Sequence, residues 1–400
     1  MNIARKIRLA MIDDSSLYSQ KLLEQLRPQG VECIVYGPKR PIKSKSQGIM
    51  ESPDKNLRKV WTSTRLPFQV FSNALRDRPD VVHFQFEFFG IHSYGPFFSS
   101  LCLPFALLLL RLIKTKTVVT MHMVIPRGRN LSLIRDTAPN SFRTPLVFLE
   151  AFLILWYSSV SIVSDLIVVH AETFARRLNS HYRLDVSKVI VIPHGVDIFY
   201  GKRQESQEFV HRNRETVLYF GVLSPRKGLE TLIDAYGLLT KRKPNSELLL
   251  AGTTPPYYQR YLSSLKDFVS NSEVRNVKFL GEVSDKLAHE LFSRATLAVL
   301  PYNYDISASG ALGWASSHGL PVVTSNTEYF CNEVSSFKCG LVFIRGNPES
   351  LYQAMLILLE DDHLRGLMEA GSRKMSVSNC WERVARMTLE SYETLRKNAD

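Results

Sequence analysis

The sequence predicts an α/β protein made of two parallel-sheet domains. Short β-branched runs alternate with stretches of helical apolar spacing, and this alternation restarts once, after a polar interval. A length of 400 residues suits two domains of ordinary size, and 45% hydrophobic against 22% charged residues excludes a disordered chain.

The first half opens with a strand at Lys6 to Ile12, a helix at Leu17 to Leu26 and a second strand at Val31 to Tyr36. Strand 80-DVVHFQF-86 follows, then a helix from Leu101 and strand 117-TVVTMHMV-124. Next come 165-DLIVVHAE-172, a helix at Phe174 to Leu178, and 189-VIVIP-193. Strands that read as apolar runs with intervening helices belong to a sheet covered on both faces. The chain turns polar through 201-GKRQESQEFVHRNRE-215, the expected approach to a second domain.

The second series begins with a strand at Val217 to Val222 and a helix at Leu229 to Leu239. Further strands are predicted at 247-ELLLAG-252, 277-VKFLG-281, 297-LAVLP-301 and 321-PVVTS-325. Helices fit Tyr258 to Phe268, Ser284 to Arg294, Ser309 to Ser317 and Pro348 to Leu359. The last segment, Trp381 to Leu395, is helical with no strand after it. Binding groups in such a protein are expected at the carboxyl ends of the strands.

The net charge of +12 is concentrated in one half: residues 1–200 hold 26 basic against 15 acidic side chains. A one-sided basic surface, with 37-GPKRPIKSKSQG-48 and 126-PRGRN-130 within it, points to a polyanion or an anionic membrane face. Nucleic acid is not favoured, because no zinc-finger, RNP or arginine-rich pattern is present. Phe98 to Ile113 is apolar but short, with Pro104 and Arg111 inside it. Pro145 to Val169 is longer and is interrupted by Glu150 and Asp165. Both read better as buried or membrane-facing helices than as spans, which need about 20 apolar residues. The start of the chain shows no signal-peptide pattern. Five scattered cysteines without a CxxC pair imply a reducing compartment and no structural metal.

The stretch 217-VLYFGVLSPRKGLETLIDAYGLLT-240 carries the main chemical hint. A strand ends in Gly221, crosses a short turn and enters a helix through Arg226, Lys227 and Gly228. Gly228 allows close backbone approach, and a helix start offers unpaired N–H groups beside a lysine expected to be solvent-accessible. That arrangement suits a phosphate; a plain βα turn with a solvated basic pair is the alternative.

Taken together, 80-DVVHFQF-86, 189-VIVIPHGVD-197, 217-VLYFGVLSPRKGLETLIDAY-236, 277-VKFLGEVSDKLAHELFSRATLAVLP-301 and 310-GALGWASSHGLPVV-323 resemble the retaining GT-B glycosyltransferases of family 4, or group 1. The resemblance covers nearly the whole chain. It implies a GT-B fold, two Rossmann-like domains facing across a cleft. Residues 1–196 would form the acceptor side and 197–380 would bind the nucleotide sugar. Residues 381–400 would form a helix crossing back to the first domain.

The resemblance also assigns roles. Lys227 matches the lysine that contacts the donor diphosphate, where a fixed cation stabilises charge that develops on the leaving group. Gly221, Arg226 and Gly228 belong to the same donor loop. The loop arginine common in the family is missing, its positions being held by Val222 and Ser224. Asp305 matches the first of two family glutamates, and the second position holds Trp314, which cannot accept ribose hydrogen bonds. Ser309 and Gly310, in 307-SASG-310, start a helix that can cradle a phosphate or simply cap itself. His122, in 120-TMH-122, matches the histidine near the reacting sugar. His83 is read as structural or acceptor-side, with Gln85 at the site of a frequent second histidine. Glu333, in 331-CNEV-334, is expected on a loop that approaches the donor, and Asp197 at a hinge beside His194 and Gly195.

The implied function is transfer of a hexose from a nucleoside diphosphate sugar to a glycan or lipid-linked acceptor, with retention. No metal and no cofactor are implied. The expected location is cytoplasmic, with peripheral attachment to an anionic membrane face. Two other classes fit the same fold. A nucleotide-sugar epimerase would act on donor alone. A non-catalytic glycan-binding or scaffold protein would form no product, and Trp314 and the missing arginine are its motives.

Overall fold

The computed structural model describes residues 6–13, 16–39, 57–62, 65–88, 96–128, 131, 145–200 and 215–397, with the backbone alone for 96–101. The basic loop beyond Lys39, residues 129–130 and the polar interval 201–214 lie outside the described residues. The chain forms two compact units. One comprises Met1–Gly195, Ile306–Ala308 and Trp381–Asp400; the other comprises Val196–Asp305 and Ser309–Cys380.

The first unit is built on seven parallel strands: β1 Arg8–Ile12, β2 Glu32–Pro38, β3 Leu57–Trp61, β4 Val81–Phe86, β5 Lys116–Met121, β6 Leu166–Val169 and β7 Val189–Val191. Their order is β3-β2-β1-β4-β5-β6-β7, so the winding direction reverses between β1 and β4. That reversal opens a crevice at the carboxyl ends of the strands. Leu9 and Met11 of β1, Val81, Val118, Leu166 and Val168 form one core with Leu22, Leu23 and Leu26 of helix Leu17–Leu26. Trp381, Val384, Ala385 and Tyr392 of the last helix, Trp381–Lys397, belong to that same core.

Two apolar segments become crossover helices, Pro96–Leu112 between β4 and β5 and Leu146–Val163 between β5 and β6. Helix Leu146–Val163 buries Leu149, Leu153, Trp156, Tyr157 and Val160. Its length and hydropathy are those of a membrane span, yet only 33% of it is buried. Strand β3 and helix Leu66–Asp77 were not foreseen. The helix sets Leu66, Val70 and Ala74 four residues apart on one buried face.

The second unit holds β8 Thr216–Phe220, β9 Glu247–Ala251, β10 Val277–Gly281, β11 Leu297–Leu300, β12 Val322–Ser325 and β13 Gly340–Phe343. The order β10-β9-β8-β11-β12-β13 reverses between β8 and β11. Every pairing within both sheets is parallel. Residues 328–337 form a helix, Glu328–Phe337, and not the loop expected around Glu333. Buried Tyr329, Phe330 and Val334 recur at helical spacing with no glycine or proline to interrupt them. Helix Asp362–Ser378 is a further element beyond those predicted, started by Asp361, which accepts the Leu364 N–H.

Candidate active site

In the first unit, the strand ends at the winding reversal converge on a pocket of about 230 Å³. Asp13 follows β1, Gln85 is the next-to-last residue of β4, His122 follows β5 and His170 follows β6, while His194 lies just beyond β7. Tyr18, in the first turn of its helix, is the hub. Its ring centroid lies 4.8 Å from His122, 5.3 Å from His170 and 5.1 Å from His194.

These rings are chained by hydrogen bonds. His122 Nε2 meets Gln85 Oε1 at 2.8 Å, His122 Nδ1 meets His170 Nε2 at 3.0 Å, and His170 Nδ1 meets the Ile192 carbonyl at 2.9 Å. Burial pushes the His170 imidazolium down to about 3. It holds His122 well below its ordinary value too, and the neighbouring histidines add to the effect. His83 does not line the pocket. It is 1% exposed, its Nδ1 meets the Tyr392 hydroxyl at 2.6 Å and its Nε2 meets Thr120 Oγ1 at 2.7 Å.

In the second unit, the strand ends at the reversal bring β8 and β11 side by side. After β8, Pro225–Lys227 makes one 3₁₀ turn, and Gly228 at φ 65° leads into helix Leu229–Arg242 with no side-chain cap. The loop is tied down by Asn303, whose Nδ2 donates to the Pro225 carbonyl at 2.8 Å and whose backbone N–H donates to the Arg226 carbonyl at 2.9 Å. Lys227 was expected to be solvent-accessible, but only 7% of it is exposed. The reason is that its stem enters the unit and its ammonium rests on the face of the Tyr302 ring, 3.3 Å from the centroid. Burial first, and then the Arg226 charge, hold its pKa well below 10.5. No carboxylate pairs with Lys227 among the described residues. The Arg226 guanidinium is 5.9 Å from both the Tyr302 and Tyr304 ring centroids.

A polar chain continues from Tyr302. Its hydroxyl meets Ser309 Oγ at 3.2 Å, and Ser309 Oγ accepts the Leu312 N–H to start helix Gly310–Ser317. The Ser309 N–H donates to the Tyr329 hydroxyl at 3.3 Å, and the Tyr329 N–H donates to Asp305 Oδ2 at 3.0 Å. The structure thus draws together Lys227, Ser309 and Asp305, with Asp305 buried at the start of helix Glu328–Phe337. Glu333 sits one turn beyond Tyr329 on that helix, and burial raises its carboxyl to about 7. Gly221 adopts φ 142°, next to the backbone of Gly252.

Trp314 does not face this chain. It stacks with Phe292 at 5.6 Å and His318 at 5.8 Å, and meets His289 at 4.9 Å, so the position expected to hold a carboxylate is packed into an aromatic cluster. Tyr302, Tyr329, Tyr18, His170 and His194 were not singled out as site residues from sequence. Four of these five stand within two residues of a strand's carboxyl end or in the first turn of a helix, the places where the strand-end rule points. Among the described residues no group of three His, Cys, Asp or Glu side chains is arranged to hold a metal ion.

Comparison with known proteins bears on the family and the fold. Residues 16–198 match the model for Glycosyltransferase Family 4, and residues 202–375 match the model for Glycosyl transferases group 1. Sucrose-phosphate synthase from Thermosynechococcus elongatus has the same fold, with a TM-score of 0.74, 16% identity, and 98% of this chain and 99% of that one covered. The chain belongs to the GT-B glycosyltransferases.

Anabaena Alr3699/HepE in complex with UDP shares this GT-B fold at a TM-score of 0.73 and 15% identity, covering 97% of this chain and all of that one. Among curated proteins, a D-inositol 3-phosphate glycosyltransferase of Paenarthrobacter aurescens is 27% identical over 56% of each chain. A phosphatidyl-myo-inositol mannosyltransferase of Mycolicibacterium smegmatis is 25% identical over 52% of this GT-B chain and 53% of that protein. The chain spans about half the length of the curated relatives it matches.

Proposed function

We propose that this chain transfers a hexose from a nucleoside diphosphate sugar to a glycan or lipid-linked acceptor, with retention of configuration, at an anionic membrane face. The observation that carries the reading is Lys227: a buried ammonium on an aromatic face, with no carboxylate paired to it among the described residues, at the start of helix Leu229–Arg242. A desolvated cation at a helix start forms a site that an anion stabilises. The diphosphate is the anion that this family's donors supply. The known structure of Alr3699/HepE with UDP-glucose supports that donor class.

In this reading Lys227, the Gly228 turn and Arg226 take the diphosphate, with Gly221 giving it close backbone approach. Ser309 and Gly310 offer a second helix start, and Glu333 is a further donor contact. Asp305 holds the Tyr329 N–H and so fixes the wall behind them. His122 meets the reacting sugar, and His83 supports the strand below it. Asp305 is already engaged with a backbone N–H, which favours front-face substitution over a covalent intermediate on a carboxylate. The acceptor oxygen bonds to the anomeric carbon, the bond from that carbon to the phosphate oxygen breaks, and the acceptor proton passes to the leaving diphosphate. Lys227 stabilises the charge that develops there.

The membrane part of the proposal rests on exposed apolar side chains in the first unit. Val147 is 77% exposed, Phe148 67%, Leu155 71% and Ile162 65%, all on one helix. Leu112, on the helix packed against it, is 70% exposed. An interfacial helix carries its apolar side outward in this way, and Arg111 Nη1 donates to the Ile162 carbonyl at its end, 3.1 Å away. The name of the mannosyltransferase relative, which contains a lipid, supports a lipid-linked acceptor.

The test is nucleotide binding followed by a product screen. Calorimetry with UDP, GDP and ADP on the full chain should find one that binds. Its hexose donors, incubated with lipid-linked acceptors, should yield a glycosylated product by mass spectrometry. Absence of binding by folded protein overturns the reading. An altered sugar nucleotide formed without acceptor would make the protein an epimerase.

A further inference from the structure

We propose that His170 is a positioning residue that locks His122 into the tautomer with its proton on Nδ1, leaving Nε2 as the acceptor that faces Gln85. The inference rests on the reading of His122 as the residue that meets the reacting sugar.

The protons can be assigned from one fixed end. The Ile192 carbonyl can only accept, so His170 Nδ1, 2.9 Å away, must donate to it. A neutral imidazole has one proton, and His170 Nε2 is therefore an acceptor. His122 Nδ1 stands 3.0 Å from it and has to be the donor. His122 Nε2 is then bare in the neutral ring. Burial keeps both rings neutral across the ordinary range.

That conclusion exposes a mismatch with Gln85, whose Oε1 lies 2.8 Å from the bare His122 Nε2. Two acceptors do not share a hydrogen bond. Amide oxygen and nitrogen are interchangeable by a half-turn, so the neutral cluster requires Gln85 to present its NH₂ group to His122. Protonated His122, by contrast, donates to Gln85 Oε1 as placed here. In both states Nδ1 stays on His170, so proton gain and loss is confined to Nε2. Asp13, Glu87, His194 and Tyr18 line the same pocket, and His83 Nε2 lies 3.4 Å behind the Gln85 amide nitrogen. His170 Nε2 is the group that meets His122 Nδ1, and it therefore sets the tautomer.

A packed histidine pair with no role would look the same in shape, so the test reads the proton. Nitrogen NMR of ¹⁵N-histidine-labelled full-length protein, without any substrate, should show His122 protonated on Nδ1. His170→Phe keeps the ring packing against Tyr18 but removes the acceptor, and His122 should move to the Nε2-protonated form. His170→Gln supplies a carbonyl oxygen and should restore the original tautomer. In the transfer assay kcat should fall roughly 10- to 100-fold in the Phe variant with donor KM nearly unchanged, and recover in the Gln variant. Nδ1 protonation that persists in a folded Phe variant overturns the proposal, as does wild-type His122 protonated on Nε2. A switched tautomer with unchanged kcat also overturns it. Expected tautomers in a wild-type protein that performs no transfer would instead fault the proposed function, because the NMR readout needs no reaction.

Discussion

The Lys227 ammonium lies buried on the face of the Tyr302 ring, 3.3 Å from its centroid, with no carboxylate paired to it among the described residues. A charge in that position destabilises the empty protein and is relieved by an anion. Lys227→Met keeps the stem and removes the charge. Its kcat/KM should fall by about 30- to 1000-fold, the loss of a fixed cation worth roughly 2–4 kcal/mol in the transition state. Its stability without ligand should stay level or rise. The sign follows from the lowered pKa: between that value and 10.5 the unfolded chain binds more protons, so wild-type stability rises with pH across that window. Urea denaturation at several pH values should show this slope in the wild type and lose it in the Met variant. Unchanged kinetics in a folded variant would return the loop to an ordinary turn.

Gly228 is required by shape. It sits at φ 65°, and a Cβ there would collide with the Pro301 carbonyl oxygen. Gly228→Ala should lower stability by roughly 2 kcal/mol or more, combining backbone strain with displacement of the β11 end. An unshifted urea midpoint would contradict this geometry.

The buried histidines predict acid sensitivity. Burial lowers His83 and His170 to about 3, and it lowers His122 and His194 as well. Each is neutral in the folded state and protonated in the unfolded chain below about 6.5. Stability is therefore lost as pH falls from 6.5 toward 3, by up to about 2 kcal/mol per histidine at pH 5. Melting temperatures at pH 7 and pH 5 check this. His83→Gln should flatten the difference, and a wild type equally stable at both values would refute the assignment.

Membrane attachment should depend on the outward apolar side chains and on lipid charge. The wild type should cosediment with anionic vesicles, release with added salt, and bind neutral vesicles weakly. The double change Val147→Asp and Leu155→Asp, at exposed positions, should weaken binding roughly tenfold or more while leaving nucleotide binding intact. Equal retention on both vesicle types, unaffected by salt, would remove the electrostatic part.

The sheets were legible because many of their strands are nearly uninterrupted apolar runs such as 166-LIVV-169 and 297-LAVLP-301. Strand β3, LRKVW, is short and carries two basic residues, so its pattern was hidden. The Lys227 loop stood out from its place between a strand and a helix, but not its burial, because the ring that receives it is 75 residues away at Tyr302. The His122–His170 link spans 48 residues and reflects the adjacency of β5 and β6, which local spacing does not encode. Trp314 was visible as a departure, and its stacking on Phe292 and His318 gives that departure a packing role.

The last helix has a consequence for how the protein is made. Tyr392 closes on His83 across 309 residues of chain, and Trp381, Val384 and Ala385 complete the core around β1. The early strands therefore leave the ribosome long before their final partner. At ordinary elongation rates of about 5–20 residues per second, roughly 10–40 s separate the end of the first sheet from the appearance of that helix. During this interval the nascent sheet exposes the surface that Tyr392 will later cover. A chain stalled before Trp381 should be a substrate for chaperones, and one released after Lys397 should not.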